Sequence, residues 1–136
     1  MTGAATSVVG DSPQGDGVYR DSNDWAKDVN RPNERAKFLA ERACWDEILR
    51  AQADSKDNSA TRLTTILPYF ISGPLLYREA YNSSCGAVSV IITNTQYGFP
   101  EVQLPVVDVR DVAQAHILSL TNRELQGFNG RYLLAT

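Results

Sequence analysis

The feature that most constrains this fold is a long helical segment followed at once by a short β-branched run. From Pro32 onward, Phe38, Leu39, Arg42, Trp45, Ile48 and Leu49 recur at helical spacing. Proline suits a first helical turn, where its missing N–H needs no partner, and Glu34 lies near the positive end of the helix dipole. The spacing predicts a helix to about Ala53. After the polar turn DSKDNSA, the run from Arg62 to Pro68 (RLTTILP) has the β-branched content and terminal proline of a buried strand leaving a sheet. A helix feeding a buried strand is the half-repeat of a parallel α/β sheet.

The rest of the chain fits around that unit. Thr6 to Gly10 is expected to be a strand end, and Asp11 to Asn30, rich in Gly, Asp, Ser and Asn, a long polar loop. Ser83 or Ser84 suits the cap of a second helix running to about Thr95, before the turn Tyr97-Gly98-Phe99-Pro100. A short strand is expected over Val102 to Val107. A third helix follows over Asp108 to Leu120, with Val112, Ala115, His116 and Leu120 along one side, and Arg131 to Ala135 forms the terminal strand.

Composition excludes several function classes. With 136 residues, 43% of them hydrophobic and 21% charged, the chain is suited to one globular unit with a modest core. A formal charge of -3 with scattered Lys and Arg offers no attraction for nucleic acid or an anionic membrane. The longest apolar stretch, Leu63 to Leu76, is broken by Pro68, Gly73 and Pro74 and is too short to span a bilayer. The opening residues have neither the charged start nor the apolar core of a secretory signal, so a cytoplasmic address is expected. Cys44 and Cys85 have neither CxxC spacing nor a histidine cluster; both are expected to be buried small hydrophobes, and no metal site is expected.

Four ordered stretches carry a resemblance. They are VVGDSPQG with a downstream Asp24-Trp25, AKFLAERACWD, LTTILPYFISGPLL, and VVDVRDVAQAHI followed by GRYLL. In that order and spacing they resemble the extended short-chain dehydrogenases/reductases that include dihydroflavonol reductases, cinnamoyl-CoA reductases and microbial carbonyl reductases. The resemblance implies a partial Rossmann-type parallel sheet, its later strands and helices, over residues 1–76. Residues 77–136 would mix a small C-terminal substrate lobe with returning sheet elements, the N-terminal βαβ nucleotide-binding half lying outside this sequence. It also implies NADP(H) as cofactor and hydride transfer at a carbonyl or alcohol carbon. No GxGxxG or GxxGxxG turn, which would hold a pyrophosphate at a helix N-terminus, occurs among the nine glycines. Weak or absent cofactor binding by this chain is expected.

The resemblance also assigns residues. Family members supply a proton with Tyr in a YxxxK pair, whose lysine lowers the tyrosine pKa and hydrogen-bonds the nicotinamide ribose, while a serine orients the carbonyl oxygen. Aligned on PxxxxKxxAExAxWD, the lysine falls on Lys37 and the tyrosine position on Asn33, whose amide hydrogen-bonds an oxyanion but supplies no acidic proton. An ungapped match at Gly10-Asp11-Ser12-Pro13 puts the serine position on Ala5; a shift of one or two residues offers Thr6 or Ser7 instead. Pro68, Tyr69 and Phe70 fall where the strand end passes the nicotinamide, and Tyr77, Tyr81 and Tyr97 where the substrate lobe is lined.

Bland readings stand beside these. Lys37 is also a solvated helix lysine, Pro68 to Phe70 a strand end with core aromatics, and the three tyrosines ordinary packing residues. Tyr19 is a loop tyrosine that nothing selects as a replacement acid. Asp108 is expected to cap the third helix, Arg110 to pair with a carboxylate that ties the lobe to the sheet, and His116 and both tryptophans to be packing residues. Two functions remain open. One is a carbonyl reductase subunit impaired as this chain; the other is a non-catalytic module that binds a small ligand or pairs with a copy of itself or a full-length relative.

Overall fold

The computed structural model describes residues 1–10, 24–54, 61–77, 83–95, 98, 105–122 and 129–135. Its elements in order are α1 (Thr6–Val9), α2 (Pro32–Asp54), β1 (Thr64–Pro68), β2 (Phe70–Ser72), α3 (Ser83–Thr93), β3 (Val106–Asp108), α4 (Val109–Thr121) and β4 (Gly130–Leu134). The mixed α/β order and parallel pairing match the expected fold class.

β1 is the centre of the main sheet. On one side β4 runs parallel to it, with Thr65 opposite Arg131 and Leu67 opposite Leu133. On the other side the N-terminal segment runs parallel too: Gly3 N–H donates to the Ile66 carbonyl at 2.9 Å, Ile66 N–H to Met1 at 2.9 Å, and Ala5 N–H to Pro68 at 3.1 Å. A strand flanked on both edges and covered on both faces is sealed from solvent. Leu67 is accordingly 0% exposed and Ile66 2%.

Alternation along the strands assigns the two faces. A Cβ on Gly3 would lie 2.6 Å from Leu67, 3.2 Å from Thr65 and 3.6 Å from the Glu41 carboxylate, so Gly3, Thr65 and Leu67 face α2. Thr2 faces the opposite way, where its hydroxyl meets His116 of α4 at 2.8 Å. The sheet therefore lies between α2 and α4, as in a doubly wound fold.

The strand run does not stop at Pro68. Tyr69 N–H donates to Leu134 of the main sheet at 3.0 Å, whereas Phe70 N–H donates to Pro105 at 3.3 Å, so the chain changes sheets within two residues. β2 then pairs in parallel with β3, Phe70 opposite Val106 and Ser72 opposite Asp108. β1 lies within the strand expected over Arg62 to Pro68, and β2 is a further short strand that follows it. Of the strand expected over Val102 to Val107, Val106 and Val107 belong to β3, Pro105 precedes it, and residues 102–104 lie outside the described residues.

Thr6 to Val9 is a helical turn and not a strand end. The strand-like pairing lies one segment earlier, at residues 1–5. Two β-branched valines adopt helix here because the turn packs against α2, which outweighs an intrinsic preference of a fraction of a kcal/mol. Gly10 ends the turn at φ 71°, and a Cβ there would lie 2.7 Å from the Asp28 carbonyl. Only glycine meets both demands.

Helix α2 matches the expected span to within a residue, but its inner face differs. Glu34, Phe38, Glu41, Trp45, Ile48 and Gln52 face inward, whereas Arg42 is exposed and Leu39 and Leu49 are 52% and 58% exposed. The inner stripe is centred on a charge, which a count of apolar positions passes over. Cys44 likewise lies on the exposed side of α2, contrary to its expected burial; Cys85 is half-buried. On α4, Val112 is 7% exposed and Ala115 and His116 are half-buried, but Leu120, expected on the same face, is 77% exposed.

Glu41 is 0% exposed and Arg131 4%. Arg131 Nε donates to Glu41 Oε1 at 2.7 Å and Nη2 to Oε2 at 3.4 Å, and Trp45 Nε1 donates to Oε1 at 3.4 Å. Arg131 Nη1 also reaches the Asp24 carbonyl at 2.5 Å, and its guanidinium lies 3.6 Å from the centre of the Trp25 ring. Arg42 lies 4.9 Å from the same ring and Phe38 meets it edge-on at 5.6 Å.

Two predictions follow from this packing. Arg131→Ala leaves Glu41 charged and buried, so urea unfolding should show a loss of about 3–5 kcal/mol, while Arg50→Ala, removing the exposed Arg50–Glu47 pair, should stay within about 0.5 kcal/mol. Gly10→Ala should lose at least about 1 kcal/mol in the same measurement.

Candidate functional site

Two features meet at the end of β1 that points toward α1. Ala5, 3% exposed and already in helical conformation, donates its N–H to the Pro68 carbonyl. The next three residues turn into α1, which packs on α2, the helix that carries Asn33 and Lys37. Ala5, Pro68 and the helix that carries Asn33 and Lys37 are thereby held in adjoining elements.

Asn33 and Lys37 are both exposed in the first two turns of α2. Ser7 is 0% exposed, and its hydroxyl has no hydrogen-bond partner among the described residues; the Thr6 and Thr65 hydroxyls share that condition. The Ser7 carbonyl accepts the Ala26 N–H at 2.9 Å, which returns the chain to this turn after Gly10. Pro68 is buried, and Tyr69 and Phe70 are half-buried. The Tyr69 and Phe70 N–H groups are used between strands and the Pro68 carbonyl accepts from Ala5, so an apolar and aromatic surface is what this segment offers a ligand. Tyr77 is 63% exposed. Tyr81, Tyr97 and Tyr19 lie outside the described residues.

A cavity of about 380 Å³ opens beyond the end of β2, between α3 and the start of α4. Ile71, Leu75, Val88, Ile92 and Val109 supply its apolar walls, and Ser72, Ser84, Ser89 and Cys85 its polar atoms. Gly73, at φ 147°, lets the exit from β2 pass over α4: a Cβ there would lie 2.6 Å from Val109 Cγ1. Lys37 and Asn33 do not line this cavity. Its α3 residues carried no signal in the sequence beyond helical spacing, because only the sheet change at Tyr69 brings β2 beneath them. A smaller cavity of about 180 Å³ lies against the Arg35, Phe38 and Leu39 side of α2 and includes Lys27 and Asn30.

Asp108 caps α4 as expected, its carboxylate accepting the Arg110 N–H at 2.8 Å. Arg110 also grips the same carboxylate with Nε at 2.8 Å and Nη2 at 2.6 Å. Its partner is therefore two residues away, and the pair reinforces a cap instead of tying lobe to sheet. The side-chain hydrogen bond from Arg110 holds the Asp108 carboxyl down at about 2, and the same contact raises Arg110. His116 Nδ1–H donates to the Val112 carbonyl at 2.8 Å, which leaves Nε2 to accept from Thr2. Among the described residues no three His, Cys, Asp or Glu side chains gather as metal ligands, and no helix is long and apolar enough to cross a membrane.

The depressed Asp108 pKa fixes a pH window. The folded value of about 2 lies below the ordinary 3.8, so the cap's contribution is complete above the ordinary value and is lost as pH falls toward 2. Thermal melts of the unaltered chain and Asp108→Ala should differ by a constant Tm gap from pH 7 down to about 4, closing below it.

No family model matches the chain. Individual proteins do. The NADPH-dependent methylglyoxal reductase of Saccharomyces cerevisiae is 30% identical over 97 residues, which cover 68% of this chain and 27% of that protein. A cinnamoyl-CoA reductase of Medicago truncatula is 36% identical over 92 residues, covering 68% and 25%. The crystal structure of Gre2 from Candida albicans in complex with NADPH superposes with a TM-score of 0.67 at 30% identity, covering 98% of this chain and 42% of that one. The chain thus spans about a quarter of the length of these two curated relatives.

Proposed function

We propose, from the premise that this chain belongs to the extended short-chain dehydrogenases/reductases, that it forms the catalytic-helix and substrate-lobe part of an NADP(H)-dependent carbonyl reductase, and that as it stands it is catalytically impaired. NADP(H) supplies the hydride in such a reaction. The observation that supports the reading most is the Ala5 to Pro68 hydrogen bond with α1 packed on α2, which brings the elements that carry Ala5, Pro68 and Lys37 together at one end of the sheet.

The nicotinamide end fits the residues present. The exposed Lys37 amine is free to donate to ribose hydroxyls, and Pro68, Tyr69 and Phe70 offer an apolar wall. The phosphate end has no matching glycine turn in these 136 residues, which supports weak binding. Asn33 is able to hydrogen-bond a carbonyl oxygen but not to protonate the alkoxide, and Ala5 brings no hydroxyl to orient it. The substrate side is the cavity of about 380 Å³ beyond β2, walled by Ile71, Leu75, Val88, Ile92 and Val109, as the space for an apolar carbonyl or alcohol. The setting is cytoplasmic, with a second copy or a full-length relative as partner across the N-terminal segment, the edge of the main sheet among the described residues.

That same cavity favours a second reading, a non-catalytic module that binds a small apolar ligand or pairs with a relative. Titration of NADPH against this chain, followed by an aldehyde panel, separates the two; turnover by the unaltered chain would overturn the impairment. In a fusion to a family nucleotide-binding half, Asn33→Tyr with Ala5→Ser should raise kcat by about 10²–10⁴-fold. Continued silence would show that the residue assignment is wrong.

A further inference from the structure

Asn33, Lys37 and Glu41 are spaced four residues apart on α2. At 3.6 residues per turn each step rotates by only about 40°, so the three form one slanted stripe. The first two are exposed and the third is sealed. What Glu41 grips therefore sets where Lys37 points.

Glu41 grips the sheet. Its carboxylate receives the Arg131 fork at 2.7 Å and 3.4 Å, and the Arg131 backbone is fixed in β4 opposite Thr65. Trp45, one turn further along α2, donates to the same oxygen, which resists rotation in either direction. From above, Trp25 lies against the Arg131 guanidinium at 3.6 Å and meets Phe38 edge-on, so the returning loop closes over the pair. By contrast, the exposed Arg50–Glu47 and Arg110–Asp108 pairs each join residues close in sequence and fix no element against another.

We infer that Glu41 and Arg131 are a positioning pair for Lys37: the buried fork sets the rotation of α2 on the sheet and holds the Lys37 amine at the nicotinamide end of the site. This rests on the reading of Lys37 as a ribose-binding residue. The planar guanidinium matters as well as its charge, because only a bidentate partner fixes orientation.

The test uses the 136-residue chain itself. Reductive methylation with a ¹³C label gives resonances for Lys27, Lys37 and Lys56, the Lys37 signal being assigned by its absence in Lys37→Arg. Arg131→Lys keeps the charge but removes the fork, Glu41→Gln is the second variant should the first not fold, and Val112→Ala on α4 is a control for general destabilisation. The expected result is a displaced or broadened Lys37 resonance in either folded pair variant, with an NADPH Kd raised about tenfold, while Val112→Ala changes neither. A folded pair variant whose Lys37 resonance stays at its original position overturns the inference, as does an equal displacement in Val112→Ala. Absence of NADPH binding by the unaltered chain accords with its missing glycine turn, and the Lys37 resonance then decides the positioning by itself.

Discussion

The buried Glu41–Arg131 pair is the interaction on which the arrangement of this chain depends. Two charges removed from water are costly unless each hydrogen-bonding position is filled, and here nearly all are: the Arg131 fork and Trp45 on the carboxylate, the Asp24 carbonyl and the Trp25 face on the guanidinium. The pair joins residues 90 apart in sequence. It binds α2 to the last strand of the sheet and at the same time recruits the loop that returns at Asp24. A hydrophobic contact at the same place would tolerate sliding; a bidentate pair does not.

That rigidity matters because the site is divided among separate elements. Ala5 belongs to the N-terminal segment, Lys37 and Asn33 to α2, Pro68 to β1, and the large cavity to β2, α3 and α4. The change of sheet at Tyr69 links the last two groups, since β1 ends at the lysine-bearing side and β2 begins the wall of the cavity. A single continuous strand would leave no second sheet for α3 to cover. The Asp108 cap and Gly73 then let α4 start against the exit of β2.

Much of the element order was legible in the sequence. Pro32 with Glu34 marked the start of α2, Asp108 the start of α4, and the β-branched TTILP run a buried strand, because capping, dipole and propensity act within a few residues. The motifs that carry the family resemblance were legible for the same reason, as short stretches in a fixed order and spacing. Thr6 to Gly10 was misread because its valines favour strand locally, while its conformation follows from packing on α2. Leu39, Leu49 and Leu120 fit the helical spacing yet are exposed, because spacing does not say which stripe faces the sheet, and the inner stripe of α2 is centred on a glutamate.

The sequence by itself therefore determined where α2 and α4 begin, that TTILP is a buried strand of a parallel α/β sheet, and the resemblance to a reductase family. Only the tertiary structure decided that Glu41 and Arg131 meet, that Ser7 is sealed from solvent, and that the chain crosses to a second sheet at Tyr69. The physical reason is range. Caps, propensities and motifs are written into neighbouring residues, whereas the burial of a charge or a hydroxyl depends on segments tens of residues away that reach it only when the sheet closes.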